Sequence, residues 1–309
     1  VSFPAFSVNT WSLDGVSFNT GPDGFGHSFL VKSTKGWKGS APARPDQTLR
    51  PNANGAYRGP NYTAPRVVEL DGVAQCSTRA DRDALCDRLE GLCVDPDALY
   101  DLVRNEYSRS LKCRVERQSR IDVTELPDGV TVSFNIQVVA SDPRKFSTTQ
   151  QFAQTTLAQD PADGVLWNGP APGTSGTEWQ GPASDPNTGL VYQSTAGSPG
   201  IMVITNNGTA STPVRFTITT PPGQSMLMPQ LIVAATGDTI SYNGTMAAGS
   251  TLTVDTGTGL VLLNGATGSG QLARADFFEV PPKTTYIVQF TAGGPAPGAI
   301  ASAVWSDAY

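Results

Sequence analysis

Charge is scarce in this chain, and what there is leans acidic. Charged residues make up 16% of the sequence, with a formal net charge of −6. A protein that holds nucleic acid through its phosphates needs a basic surface, so stable nucleic-acid binding is not expected. No apolar run approaches the roughly 18 residues of a membrane-spanning helix, so no membrane insertion is expected. The opening VSFPAFSVNTW has no basic segment ahead of an apolar one, so no secretory signal is expected. Histidine occurs once, at His27, far from the four cysteines Cys76, Cys86, Cys93 and Cys113. With no CxxC pair among them, a zinc site is not expected, and neither is any other metal or cofactor. A chain this long buries a core without staples. Free buried thiols are therefore the expectation, with a secreted disulfide framework as the alternative.

Catalytic constellations are missing as well. Gly26-His27-Ser28 begins like a nucleophile elbow but lacks the second glycine of G-x-S-x-G. There is no H-E-x-x-H, no phosphate-binding loop and no calcium loop. Asp238 and Asp255 would be a glycosidase pair only if their spacing suited it, and each sits in turn context beside Gly or Thr. No enzyme is expected.

What the chain does have is glycine (32), proline (24) and repeated strand alternation. At 309 residues two domains are the natural prior. Residues 1–70 read as short strands with long loops. RVVELDGVAQ, 66–75, reads as a strand interrupted by a turn at Asp71-Gly72. Thr78 and Asp81 resemble a capping box, and Leu85, Leu89 and Leu92 repeat at helical spacing, which predicts a helix over 79–91. Asp95-Pro96 predicts a second helix start, with Leu99, Leu102 and Val103 as its apolar face. Leu111, Cys113 and Val115 then alternate inward. VTVSFNIQV repeats the pattern through Val130, Val132, Phe134, Ile136 and Val138. That strand runs into Ser141-Asp142-Pro143-Arg144-Lys145-Phe146, where proline must end a central ladder. Beyond 147 there is no helical period. Short strands alternate with Asn-Gly turns, which predicts an all-β sandwich. Trp167, Trp179 and Tyr192 lie in the loop-rich stretch 160–195 and are candidates for stacking on sugar rings.

The strand ending in Ala140-Ser141-Asp142-Pro143-Arg144-Lys145-Phe146 resembles the end of the N-terminal domain in distal tail proteins of long-tailed bacteriophages, above all the minor-tail-protein type of actinobacterial phages. The second half resembles that family's galectin-like domain in ordered pieces. Asn207-Gly208 is followed by Pro213, Gly249 by a strand closing at Asp255, and Pro281-Pro282 by Tyr286 to Phe290. Near the start, Trp11, Asp14-Gly15 and Asp71-Gly72 are similar in kind. The family often has proline where Gly223 and Lys283 stand here.

The resemblance implies a mainly β protein with a small α component. An N-terminal ring-forming belt domain, residues 1–147, would pair a β-sandwich with helices; a galectin-like β-sandwich would follow over 148–309. It implies a virion protein assembled in the host cytoplasm and placed at the distal end of the tail. There it would be a homo-hexameric ring joining the tail tube to the tip. Its implied partners are the tail tube protein, the tape measure protein, a central tail-tip hub or tail-associated protein, and peripheral receptor-binding proteins. DNA would pass through the channel without being held. The alternative is a carbohydrate-binding β-sandwich displayed at a surface, and a glycosidase with an accessory domain stands behind both.

Overall fold

The computed structural model describes residues 9–158, 200–294, 296 and 298–309. Its contacts divide the chain into two compact units: Val1–Thr149 with Ser306–Tyr309, and Gln150–Trp305. The chain therefore crosses between units twice, and its last four residues return to the first. The sequence reading had placed everything after 147 in the second unit.

The first unit holds β1 (Thr10–Leu13), β2 (Val16–Phe18), β3 (Ser28–Lys35), β4 (Ala43–Leu49), β5 (Ala56–Thr63), β6 (Arg66–Gln75), α1 (Arg82–Glu90), β7 (Tyr100–Asn105), β8 (Ser110–Arg117), β9 (Asp122–Glu125), β10 (Thr131–Ala140) and β11 (Phe146–Ser147). Nine of these strands form one sheet in the order β2-β1-β7-β8-β10-β6-β3, with β11 on β8 and β9 on β10. Its spine is the antiparallel pairing of β10 with β6, in register from Thr131↔Gln75 to Ala140↔Arg66. Both strands alternate, so Val132, Phe134, Ile136 and Val138 face the core with Val68, Leu70 and Ala74. Removing that apolar surface from water is what drives the pairing. Beside the sheet, α1 buries Leu85 and Leu89 into the same core.

Three sequence expectations differ from this structure. Asp71-Gly72 is not a turn; β6 runs unbroken through it. Gly72 lies opposite Phe134, and a Cβ there would sit 2.4 Å from the phenyl ring. The glycine makes room for a ring, while Asp71 accepts hydrogen bonds from Ser33 (3.1 Å) and Asn135. The second helix is absent. Asp95 caps only a local turn, accepting from the Asp97 amide at 2.9 Å, and β7 follows. The spacing Leu99–Leu102–Val103 fits a helix on paper, but Leu102 and Arg104 point inward at strand period, leaving Leu99 46% exposed. At the start of α1, a 3-10 turn spans Arg79–Asp81, and the Thr78 hydroxyl bonds the Asp81 carboxylate at 2.6 Å instead of a backbone amide.

β4 and β5 stand apart as a two-stranded hairpin, every residue of β4 being exposed.

The second unit holds β12 (Gln151–Thr156), β13 (Ile201–Asn206), β14 (Arg215–Thr219), β15 (Met226–Leu227), β16 (Gln230–Val233), β17 (Thr239–Tyr242), β18 (Thr245–Met246), β19 (Thr251–Asp255), β20 (Leu260–Leu263), β21 (Ala266–Thr267), β22 (Leu272–Ala275), β23 (Thr284–Thr291) and β24 (Ile300–Trp305). Two antiparallel sheets, β12-β24-β14-β19-β20-β21 and β13-β23-β16-β17-β22, share one core. Phe216, Ile218, Val254, Ala301 and Ala303 enter it from the first sheet; Met202, Ile204, Leu231, Val288 and Phe290 enter from the second. This is a β-sandwich. Among the described residues the protein is mainly β with one short α-helix.

Candidate functional site

The segment 141–147 leaves the spine of the first unit through a cluster of buried cations and aromatics. β10 ends at Ala140 opposite Arg66. Asp142 then closes a local loop: its carboxylate accepts the Arg144 amide at 3.0 Å and the Arg144 guanidinium at 2.8 and 2.9 Å. This is the Asx-turn use of an aspartate, and Pro143 presets the backbone between them. The Pro143 carbonyl accepts from Arg66 Nε at 2.7 Å.

Arg66 is only 6% exposed, so its guanidinium must be satisfied from within. Its Nη1 reaches the carbonyls of Gly36 (2.7 Å), Gly39 (3.2 Å) and Trp37 (3.4 Å). Burial pushes its pKa down from the usual arginine value. Gly36 is required there: at φ +78° a Cβ would lie 1.8 Å from the Val67 carbonyl oxygen. Lys145 adds a second buried cation, with Nζ donating to the Trp37 carbonyl at 3.1 Å and lying 5.5 Å from the Trp37 ring centre. Burial lowers its pKa, and neighbouring Arg66 lowers it further.

Trp37, fully buried, meets Trp11 edge-on at 5.0 Å. Arg104 lies over the Trp11 ring at 4.7 Å. One carboxylate, Glu106, serves the group: it accepts from Trp37 Nε1 at 3.3 Å and Arg109 at 3.2 Å, and stands 4.0 Å from Arg104. Burial alone would raise its pKa, but the bonds from Arg109 and Trp37 and the nearby arginines hold it below the usual value. Burial pushes the Cys113 thiol up to about 12.

The chain's end closes over this exit. Lys145 and Tyr309 exchange both backbone bonds, at 2.9 and 2.7 Å, and the Ser147 amide donates to the Asp307 carbonyl at 2.9 Å. Tyr309 carries the Arg109 guanidinium on its ring at 4.3 Å. Nothing in the sequence signals this return, because residues 145–147 and 307–309 meet only across the whole second unit.

The remaining motif residues hold turns. Asp14 and Gly15 both have positive φ in the β1–β2 hairpin, and Asp14 accepts the Cys93 amide at 2.8 Å. In the second unit the hinge of the 206–213 turn is Asn206, fully buried, rather than Asn207. It donates to the carbonyls of Ala210, Val280 and Pro281 at 2.8, 3.0 and 3.2 Å, and accepts the Gly208 amide at 2.9 Å. Lys283 donates to the Asn207 carbonyl. Pro282 accepts from the Thr284 hydroxyl at 3.1 Å, and Pro213 packs where a Cβ on Gly257 would fall. Gly249 turns at φ +72°. Gly223 and Lys283 have φ of +80° and +56°, which proline cannot adopt. Asp255 accepts the amides of Gly257 and Thr258 and pairs with Arg215 at 3.2 Å. Asp238 accepts from the Thr236 hydroxyl. His27 and Ser28 are 4% and 2% exposed, too enclosed to attack a substrate. Trp167, Trp179 and Tyr192 lie outside the described residues.

Residues 207–294 match the family described as the siphovirus-type tail component, C-terminal domain. This stretch takes in Asn207, Gly208, Pro213, Gly249, Asp255, Pro281 and Pro282. Among solved structures, the Dit protein of phage SPP1 is described as a paradigm of the hub adsorption apparatus in phages infecting Gram-positive hosts. It aligns over 98% of this chain and 100% of its own, with a TM-score of 0.61 and 12% identity. A chain of the phage P2 baseplate, in its activated conformation with calcium, aligns over 97% of this chain and 98% of its own, at TM-score 0.51 and 10% identity. At these identities the likeness is one of fold. No curated protein sequence matches the chain.

Proposed function

We propose that this chain, whose second unit carries the siphovirus-type tail-component domain, is a distal tail protein: a structural hub at the end of a phage tail. The observation that carries the reading is the match of whole chain to whole chain. Both units, in order and end to end, follow the fold of a single hub protein, while the second unit independently matches the tail-component family. The chemistry is that of a scaffold. The carboxylates and the serine weighed for catalysis are spent on turns and core, and the buried Arg66, Lys145 and Asn206 spend their donors on backbone carbonyls.

In this reading the first unit, Val1–Thr149 with the returning Ser306–Tyr309, forms the belt of a homo-hexameric ring, and the second is a galectin-like domain. The tail tube and tape measure proteins lie on one side, a central tip protein on the other, and receptor-binding proteins hang from the periphery. The finer assignment to the minor-tail-protein type of actinobacterial phages rests on the Ala-Ser-Asp-Pro-Arg-Lys-Phe strand ending. Antibody labelling of intact virions, viewed by electron microscopy, tests the placement. Label confined to the distal tail end supports the hub; label on the capsid or on no part of the particle rejects it.

A further inference from the structure

The hairpin of β4 and β5 is the part of the first unit that its own core does not explain. Among the described residues its strands pair only with each other, from Ala43↔Thr63 to Leu49↔Ala56. A lone two-stranded hairpin is marginal in water, so one held clear of a core needs a partner. Leu49, Tyr57 and Tyr62 are 80%, 61% and 53% exposed. Arg44 lies over the Tyr62 ring at 5.4 Å and Arg50 over Tyr57 at 5.2 Å. Between residues 43 and 63 there are three arginines, two tyrosines, a single acid and no lysine. Arginine and tyrosine are enriched at the anchoring centres of protein interfaces, and lysine is depleted there. Pro45 and Pro60 remove an amide from each strand, so this arm is poorly suited to adding a strand to another sheet. It is built to bind through its side chains.

The same unit offers a surface of the opposite kind. Along α1 and the turn after it, Asp83, Asp87, Glu90, Asp95 and Asp97 are all exposed. Of the bases of α1, Arg88 pairs with Asp23 and Arg82 with Glu125 at 3.0 Å; Arg82 also reaches Asp83 at 3.7 Å, so Asp87, Glu90, Asp95 and Asp97 carry the face's free charge. Val94, 62% exposed, and Leu99 give this acidic face an apolar patch. We propose that the β4–β5 arm of one copy docks on the acidic α1 face of the next, arginines against carboxylates and tyrosines against Val94 and Leu99. The inference rests on the hub reading, which calls for contact between copies. Charge complementarity selects the two patches. Because they are different surfaces of one unit, the contact is heterologous, and repeated head to tail it closes into a ring or runs on as a filament.

The test is sedimentation velocity on the full chain at low and high salt. Its variants are R44E/R50E on the arm, D87K/E90K on α1, all four together, and a deletion in which an Asn-Gly turn replaces residues 44–62. The altered residues are exposed, so circular dichroism should show every variant folded. Each reversal should weaken self-association at least about tenfold, salt should weaken the wild type, and the fourfold swap should restore assembly. Undiminished assembly of the deletion overturns the arm proposal and leaves the hub reading standing. A wild type that stays monomeric, or an arm that instead retains duplex DNA, also overturns it. The hub reading itself is decided separately, by virion labelling.

Discussion

Replacing Arg66 by methionine should destabilise the first unit without touching the second. The side chain is nearly enclosed and donates to four carbonyls on two segments, the 36–39 turn and Pro143 at the exit of β10. Hydrogen bonds from a charged donor contribute about 1.5–3 kcal/mol each, so the two bonds at 2.7 Å represent roughly 3–6 kcal/mol. Methionine fills much of the volume and relieves the burial of a guanidinium, but it leaves those carbonyls without a donor. A net loss of about 3–4 kcal/mol follows. In a unit of this size that lowers Tm by roughly 6–16 °C. Differential scanning calorimetry should show one transition moving and one holding still. Lys145→Met is the control: the Trp37 carbonyl it abandons still has Arg66, so its loss should stay below about 1 kcal/mol. A loss under about 1 kcal/mol for Arg66→Met, or equal shifts in both transitions, would refute the anchoring role.

Three further outcomes follow from the same cluster and its surroundings. Proteolytic cleavage within 148–150 should leave the fragments together in gel filtration, because 307–309 on the second remain paired to 145–147 on the first; removing residues 306–309 as well should weaken that association. Glu106 has a folded pKa below its ordinary 4.5, so its contribution is present above that value and lost as pH falls through the folded one. Thermal melts of wild type and Glu106→Gln should therefore differ at pH 7 and converge in acid; a constant gap down to pH 3 would contradict the assignment. Burial pushes the thiols of Cys93 and Cys113 to about 12, so iodoacetamide at pH 8 should spare both in the native protein and label both in denaturant. A stoichiometric disulfide in unreduced protein would contradict this.

Much of the fold was legible wherever one face of an element is buried. The 130–138 alternation and the Leu85–Leu89–Leu92 spacing each translate into core contacts because a period selects a face. Reading failed where burial and polarity part company. Arg104 looks like a solvent residue but lies inside, so β7 lost its strand pattern and its spacing passed for a helix. Gly72 looked like a turn because the ring it accommodates, Phe134, is distant in sequence. The β4–β5 arm has no buried face, hence no alternation; its one local sign is Asn54-Gly55, where Gly55 takes φ +94°. Of the candidate site, Asp142 and Pro143 were visible as punctuation. The buried partners that make the exit a joint, Arg66, Trp37 and Tyr309, come from three remote segments and leave no local trace.

The most direct measurement of the central claim is a cryo-electron microscopy map of the distal tail of the phage that carries this chain. The account predicts a closed ring of six copies between the tail tube and the tip. The first unit should line the channel, with each β4–β5 arm on the α1 face of the next copy. Density for this chain elsewhere in the particle, or isolated copies with no contact between them at the tail end, would contradict it.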